Sequence, residues 1–540
     1  MGHPEREPRQ RPATVAGLPA SGPKGEYILV LDQGTSSSRA ILFDAEANAV
    51  SLSQEPVATS YPGSGWVEQD AERVWRTTRF TAREAIRKAG IAPKRIAALG
   101  IANQRETVVL WDRENGVPIH PAIVWQDRRT LPLCERLRAD GLEDFVRNRT
   151  GLTIDPYFSA SKVAWLLKHV PGARAAADHG RLAMGTVDSW LLWNLTRGRT
   201  HVVEVSNASR TLLLDRLRLT WDEDLCRLFA IPRALLPDIV PSIGPIAATD
   251  PEIFSTAIPI LAVNGDQQAA LFGHGGLAPG RTKVTYGTGA FVMQSTADHS
   301  LTSSRGLLSS VAWQRGRDVT YALEGSIFAA GSVVDWLRDG LGLFAESSEL
   351  DGLIGDDEPW DETGVLFVPA LDGLGAPYWD ARVRGTFLGI SHATSRREIA
   401  RAAVEAIAHQ VCDVLDAMDQ DAGSDVGSAR RVTCDGGVSQ SHRLLQTQAD
   451  LGGREIVRLE DTETTARGIA LEVGVALGWW DMASVADRIR EGAVFFPRLE
   501  ETSRTLRRAT WQRAVQVARS WPVGTGTGGS QPPVKQAEKG

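Results

Sequence analysis

Asp32 stands where an apolar run, YILVL, meets a glycine loop, QGTSSSR. A carboxylate at the end of a buried strand is costly unless it is solvated, hydrogen-bonded or holding a cation. The loop after it offers what an anion needs. Gly34 lets the backbone approach a ligand, Thr35, Ser36 and Ser37 supply N–H and hydroxyl donors, and Arg39 adds a charged fork. Gly287, Thr288 and Gly289 form a second loop of this kind after the segment KVTY. Asp, Gly, Thr and Ser also dominate ordinary hairpin turns, so turn and phosphate cradle both stay open for each loop.

Other phosphate chemistries drop out. The chain contains no Gly-Lys dipeptide, which excludes the Walker loop. A GxGxxG string, Gly524 to Gly529, lies in a low-complexity stretch with no strand before it and no helix after, so it carries no dinucleotide site. Zinc-protease motifs and a Gly-x-Ser-x-Gly elbow are missing.

Three further places carry reactive groups. Asp266, in VNGDQQ, reads either as a helix cap or as a general base placed to take a proton from an attacking hydroxyl. Arg105 and Glu106, adjacent in NQRE, read either as a solvated surface pair or as donor and acceptor to neighbouring hydroxyls. Trp125 and Tyr157 read as core aromatics or as the wall of a small polar ligand.

The elements that would position these groups are readable from the hydrophobic runs. Strands ending in short polar loops recur at Tyr27, Arg95, Ile258, Arg281 and Arg431, and helical patterns such as REIARAAVEAIAHQVCDVLDAM lie between them. Strands alternating with helices predict an α/β architecture with sheets covered on both faces, and such sheets bind ligands at the carboxyl ends of their strands. The two Gly/Thr loops, one early and one mid-chain, point to two related halves.

Composition agrees. The 540 residues suggest about two to four domains. With 59 Lys+Arg against 66 Asp+Glu the net charge is -7, which argues against nucleic acid as the main partner. Four scattered cysteines form neither a disulfide framework nor a zinc ribbon. Residues 1–25 and 522–540 read as disordered tails, and no signal peptide, transit peptide or membrane span is expected. The chain therefore reads as a cytoplasmic, multi-domain enzyme.

Together the strings LDQGTSSSRAILFD, IANQRETVVLWD, AIVWQDRRT, GLTIDPYFSASKVAWLL, GTVDSWLLWNLT, SNASRTLLL, GDQQAALFGH, YGTGAFV, YALEGSIFAAGSVVDWLRD, PALDGLGAPYWD and DGGVSQSHRLLQ resemble the FGGY carbohydrate kinases, from Tyr27 to about Trp480. Tyr157 to Lys168 fits the family's first signature and Gly385 to Glu405 its second. The resemblance implies an actin-like ATPase fold: two RNase H-like domains, residues 26–273 and 274–521, around a nucleotide and polyol cleft.

It further implies ATP-dependent phosphorylation of glycerol to sn-glycerol 3-phosphate, with ATP and Mg2+ as cofactors and Asp266 as general base. Thr35, Ser36, Ser37 and Arg39 would hold phosphates and Asp32 the magnesium. Thr288, Gly331 and Gly437 would meet the nucleotide from the second domain. Arg105, Glu106, Tyr157, Asp266 and Gln267 would read the hydroxyls, with Trp125 and Phe291 against the carbon backbone. The family's glutamine near the adenine is Asp335 here and its asparagine is Ser441, so no nucleotide role is carried onto either. A sugar-bisphosphate loop and a phosphorylatable histidine known in some members are replaced by DPEIFSTAIP and Leu217, so both controls are expected to be absent. Family habit implies a homodimer or homotetramer. A sibling polyol or ketose kinase, or an actin-like ATPase switch without polyol activity, are the alternatives.

Overall fold

The computed structural model describes residues 25–355, 364–426 and 430–521. The two expected tails lie outside the described residues apart from Gly25, and the Gly524–Gly529 string lies outside with them.

The first half builds on five strands: β1 (Tyr27–Gln33), β2 (Ser37–Phe43), β3 (Ala49–Pro56), β4 (Ile96–Asn103) and, after the antiparallel β5 (Ile243–Ala248), β6 (Pro259–Gly265). β1, β2 and β3 pair antiparallel in chain order, while β1 with β4 and β4 with β6 pair parallel. The second half repeats this scheme with β7 (Thr282–Tyr286), β8 (Ala290–Ala297), β9 (Leu308–Arg315), β10 (Asp318–Ile327), β11 (Arg431–Asp435) and β12 (Glu455–Leu459). Here β7, β8 and β10 are antiparallel and β7–β11–β12 parallel. An edge strand, β13 (Glu491–Phe495), flanks β12 as β5 flanks β6. A single residue pair between the halves, Ile243 with Arg315, closes them into one 13-stranded sheet of order β13-β12-β11-β7-β8-β10-β9-β5-β6-β4-β1-β2-β3.

The sequence explains the central strands. β4 and β6 are buried at every position, as unbroken apolar runs require when helices cover both faces. In β1 alternate side chains go to different cores. Ile28 and Val30 pack with α3 (Asp266–Gly273) and α6 (Thr464–Leu477), whereas Leu29 and Leu31 pack with α1 (Ala71–Ala89). α1 starts at Asp70, whose carboxylate accepts from the N–H of Glu72 and Arg73, and ends at Gly90 with φ 66°. α2 (Ser159–His169) belongs to the insertion that walls the site. The second half's outer core gathers around α4 (Arg396–Val426, interrupted at Gly423), α5 (His442–Gly452) and α7 (Glu501–Ser520).

α3 follows β6, and α6 follows β12, so the two helices are equivalents. They meet backbone to backbone across the halves: a Cβ on Gly468 would stand 1.9 Å from the carbonyl oxygen of Ala269, and one on Gly273 2.2 Å from that of Thr464. Glycine is needed at both. All four cysteines are buried free thiols. Among the described residues no helix is long and apolar enough to cross a membrane.

Candidate active site between the two halves

The two Gly/Thr loops are hairpin turns at equivalent places, β1–β2 and β7–β8. In the first, the Gly34 N–H donates to the Ser37 carbonyl at 3.0 Å. The carbonyls are taken by side-chain amides, Gln69 Nε2 to Thr35 O at 2.6 Å and Gln104 Nε2 to Gly34 O at 3.3 Å. Gln33 is itself pinned, its Oε1 accepting from Ser38 Oγ and from Thr78 Oγ1 of α1, both at 2.6 Å. Held this way, the turn leaves Ser36 exposed and Thr35 half-buried, with Thr35 Oγ1 accepting from Trp125 Nε1 at 2.9 Å. Ser37 is buried.

Asp32 lies at the end of β1, opposite Arg39 in the hairpin. Its carboxylate makes no hydrogen bond or ion pair among the described residues. Burial pushes its pKa up to about 7, with Arg39 opposing and Asp266 and Glu463 adding. Arg39 reaches across to Glu463, Nη1 to Oε2 at 2.8 Å.

In the second turn the carbonyl of Gly287 accepts from Gly331 N at 2.9 Å, and that of Thr288 from Ala330 N and Ser332 N, both at 3.0 Å. Gly331 is therefore joined to the turn while Thr288 stays exposed. Gly437 is exposed in the loop after β11. The two departures near it are both engaged: Ser441 Oγ bonds Asp351 and caps α5 through Leu444 N at 3.0 Å, and Asp335 pairs with Arg338 at 3.1 Å. Leu217 is exposed.

Arg105 and Glu106 are not a solvated surface pair. They follow β4 and are 3% and 1% exposed, because β10 of the second half lies over them. Arg105 gives Nη1 to Glu324 Oε2 at 2.7 Å and to Gln268 Oε1 at 3.2 Å. Its Nη2 goes to Glu324 Oε1 at 2.9 Å and Tyr157 Oη at 3.3 Å. Its Nε faces Asp266 Oδ1 at 3.5 Å and Glu106 Oε1 at 3.9 Å. Glu106, at φ 60°, takes Arg210 Nε on Oε1 at 2.6 Å.

Asp266 opens α3 and does not cap it from outside; Gly265 occupies the cap position, and among the described residues Asp266 Oδ1 accepts a hydrogen bond from its neighbour's N–H alone, Gln267, at 2.7 Å. Gly265 is obligatory, since a Cβ there would lie 2.8 Å from both Cγ and Cδ of Arg105. The Asp266 side chain is 27% exposed, and burial raises its pKa, with Arg105 opposing and Glu106 adding. Gln267 Oε1 accepts from the buried Lys283 at 2.6 Å. Trp125 sets its ring edge-on to Tyr157 at 5.6 Å and to Phe291 at 6.4 Å, forming one aromatic wall. Arg105, Glu106, Tyr157, Asp266, Gln267, Trp125 and Phe291 thus converge, and the Trp125–Thr35 bond joins them to the first turn.

Four participants escaped the sequence reading. Arg210 and Glu324 lie inside SNASRT and YALEGS but carried no spacing signal. Lys283, whose pKa burial lowers to about 8 against the pull of Asp435 and Asp266, is a lone lysine in an apolar strand. Gln69 has no motif at all.

Two halves of one strand order, each presenting a glycine turn to a shared cleft, define a two-domain kinase of the actin-like ATPase fold. The chain belongs to the FGGY family of carbohydrate kinases: residues 27–273 match the family's N-terminal domain and residues 282–477 its C-terminal domain. It is 48% identical over 497 residues to a glycerol kinase of Burkholderia cenocepacia, covering 92% of this chain and 98% of that one. Against a glycerol kinase of Halorhodospira halophila it is 48% identical over 496 residues, covering 92% and 97%. A solved structure of Plasmodium falciparum glycerol kinase with ADP is similar at a TM-score of 0.85 and 32% identity, covering 91% of this chain and 98% of that one.

Proposed function

We propose that the chain transfers the γ-phosphoryl group of ATP to glycerol, giving sn-glycerol 3-phosphate and ADP. The observation that carries this reading is the placement of Asp266 3.5 Å from Arg105, beside Glu106, at the start of α3 directly after β6 of the sheet that also bears the first Gly/Thr turn. Arg105, Glu106 and Tyr157 read vicinal hydroxyls, while Trp125 and Phe291 cover the carbon chain. Asp266, made more basic by burial, accepts the proton of the terminal hydroxyl as it attacks the γ-phosphorus in line. Gln267 steadies that hydroxyl, its own carbonyl fixed by Lys283.

Thr35, Ser36, Ser37 and Arg39 from the first half, and Thr288 from the second, donate to the phosphates. Gly331 and Gly437 let the backbone approach the nucleotide from the second half. With the division at residue 273, part 26–273 carries most of the polyol site and the phosphate loop, and part 274–521 carries the nucleotide site and contributes Phe291 to the polyol wall.

Asp32 fits a hard cation: it is a buried carboxylate with no partner among the described residues, and no cluster of three metal-binding side chains occurs among them. Magnesium, when bound, would neutralise charge on the transferring group.

The test is ATP-dependent phosphorylation of glycerol with the product identified, run beside erythritol, xylulose and ribulose. Glycerol as best substrate supports the reading. Faster turnover of a ketose, or ATP hydrolysis with no phosphorylated product, overturns it.

A further inference from the structure

Resting on that polyol site, we infer that Glu324, supplied by the opposite half of the chain, is the positioning residue that aims both Arg105 and Glu106 at the substrate hydroxyls. Glu324 lies in β10 and is fully buried. Two guanidinium forks share its carboxylate. Oε2 accepts from Arg105 Nη1 at 2.7 Å and Arg210 Nη1 at 3.1 Å; Oε1 accepts from Arg105 Nη2 at 2.9 Å and Arg210 Nη2 at 3.2 Å. Burial works against its charge, but the two arginines override it and hold the pKa at about 2, so it stays ionised.

The donor count shows what this pairing sets. A guanidinium has five N–H groups in a rigid plane. Four of Arg105's are spent on Glu324, Gln268 and Tyr157, leaving Nε–H directed between Asp266 and Glu106. The plane of the fork, and with it the direction of that last donor, is dictated by Glu324. Arg210, anchored on the same carboxylate, spends its Nε on Glu106 Oε1 at 2.6 Å. That leaves Glu106 Oε2 without a partner among the described residues. One buried carboxylate therefore orients one donor, Arg105 Nε–H, which has only longer ion-pair contacts to Asp266 and Glu106, and one acceptor, Glu106 Oε2, without itself touching substrate.

A purely structural ion network would lower stability when broken and move all kinetic constants together. A positioning role predicts a split. In Glu324→Gln the amide turns a donor toward two arginines, and both forks lose their common plane. The expected result is a glycerol KM raised at least about tenfold, with the ATP KM and the ADP dissociation constant within about twofold of the wild type. Unchanged ADP binding also certifies folding. Glu324→Asp keeps the charge and is expected to recover most of the glycerol affinity.

A folded Glu324→Gln with wild-type glycerol KM overturns the inference. So does a parallel loss of glycerol and nucleotide affinity in Glu324→Asp, which is the deciding variant where Glu324→Gln fails to bind ADP. Wild-type protein that does not phosphorylate glycerol overturns the proposed substrate instead, and the same comparison is then read with whichever polyol or ketose it does phosphorylate. Phosphorylation of none overturns both.

Discussion

Arg39 Nη1 lies 2.8 Å from Glu463 Oε2, tying the strand that leaves the phosphate turn to the residue just before α6 in the other half. Each side chain is one-third exposed, so the pair contributes at most about 1 kcal/mol to stability. Its weight falls on binding, because the guanidinium proposed to hold phosphate is held by a carboxylate that competes for it. Glu463→Gln is expected to lower the ATP KM by up to about fivefold, the equivalent of that energy. Arg39→Ala is expected to raise it about tenfold or more. Steady-state kinetics with thermal melts on both variants check this.

Asp266→Asn removes the proposed proton acceptor but keeps the shape at a partly open position. Turnover is expected to fall by about 10²–10⁴-fold with the melting temperature nearly unchanged. Turnover near the wild-type value would remove Asp266 from the base role.

Burial raises the Asp32 pKa to about 7, so that its charge forms only towards alkaline pH and at a cost. At pH 8 the apoprotein therefore carries an ionised group that costs stability. Asp32→Asn relieves that cost, so the variant is expected to melt higher than the wild type without ligand, yet to need about tenfold or more Mg2+ for half-maximal turnover. A lower apo melting temperature would contradict the assignment.

Glu472, in α6, is fully buried; Asn264 Nδ2 reaches its Oε1 at 2.8 Å, and its Oε2 has no partner among the described residues. Burial pushes its pKa well above the ordinary 4.5, with Asn264 opposing and Glu204 adding. The folded protein keeps the proton where the unfolded chain has lost it, so this group's contribution declines as pH rises from about 4.5 towards the folded value. Glu472→Gln is expected to match the wild type near pH 5 and to exceed it increasingly above, as urea unfolding at several pH values would show.

The hairpin and Asp32 were legible because an apolar run breaking into Asp-Gly-Thr-Ser is a local signal, complete within a dozen residues. Asp266, Tyr157 and Trp125 were legible for the same reason, each standing where a strand or loop ends in a polar string. Glu324 was not. In sequence it interrupts an apolar strand, and its meaning depends on two arginines 219 and 114 residues away. Arg105 and Glu106 read equally well as a surface pair, since only the crossing of β10 buries them. Gln69, which holds the first turn by one amide bond, has nothing in its neighbourhood to mark it. Gln69 apart, whose bond to Thr35 lies within the first half, pairing between the halves is the common element in what a one-dimensional reading misses.

The glycine contact between α3 and α6 also has a mechanical meaning. At these two glycines the helices approach through bare backbone, while the side chains around them, among them Leu271, Phe272, Ala466 and Ile469, share one buried core. A side chain added at either glycine would wedge the helices apart. Asp266 sits seven residues from Gly273, about 10 Å along the axis. A tilt of about 10° forced at the contact would carry its carboxylate about 2 Å, enough to break a hydrogen bond. Gly273 and Gly468 thus act as a spacer that fixes where the helix start bearing Asp266 stands.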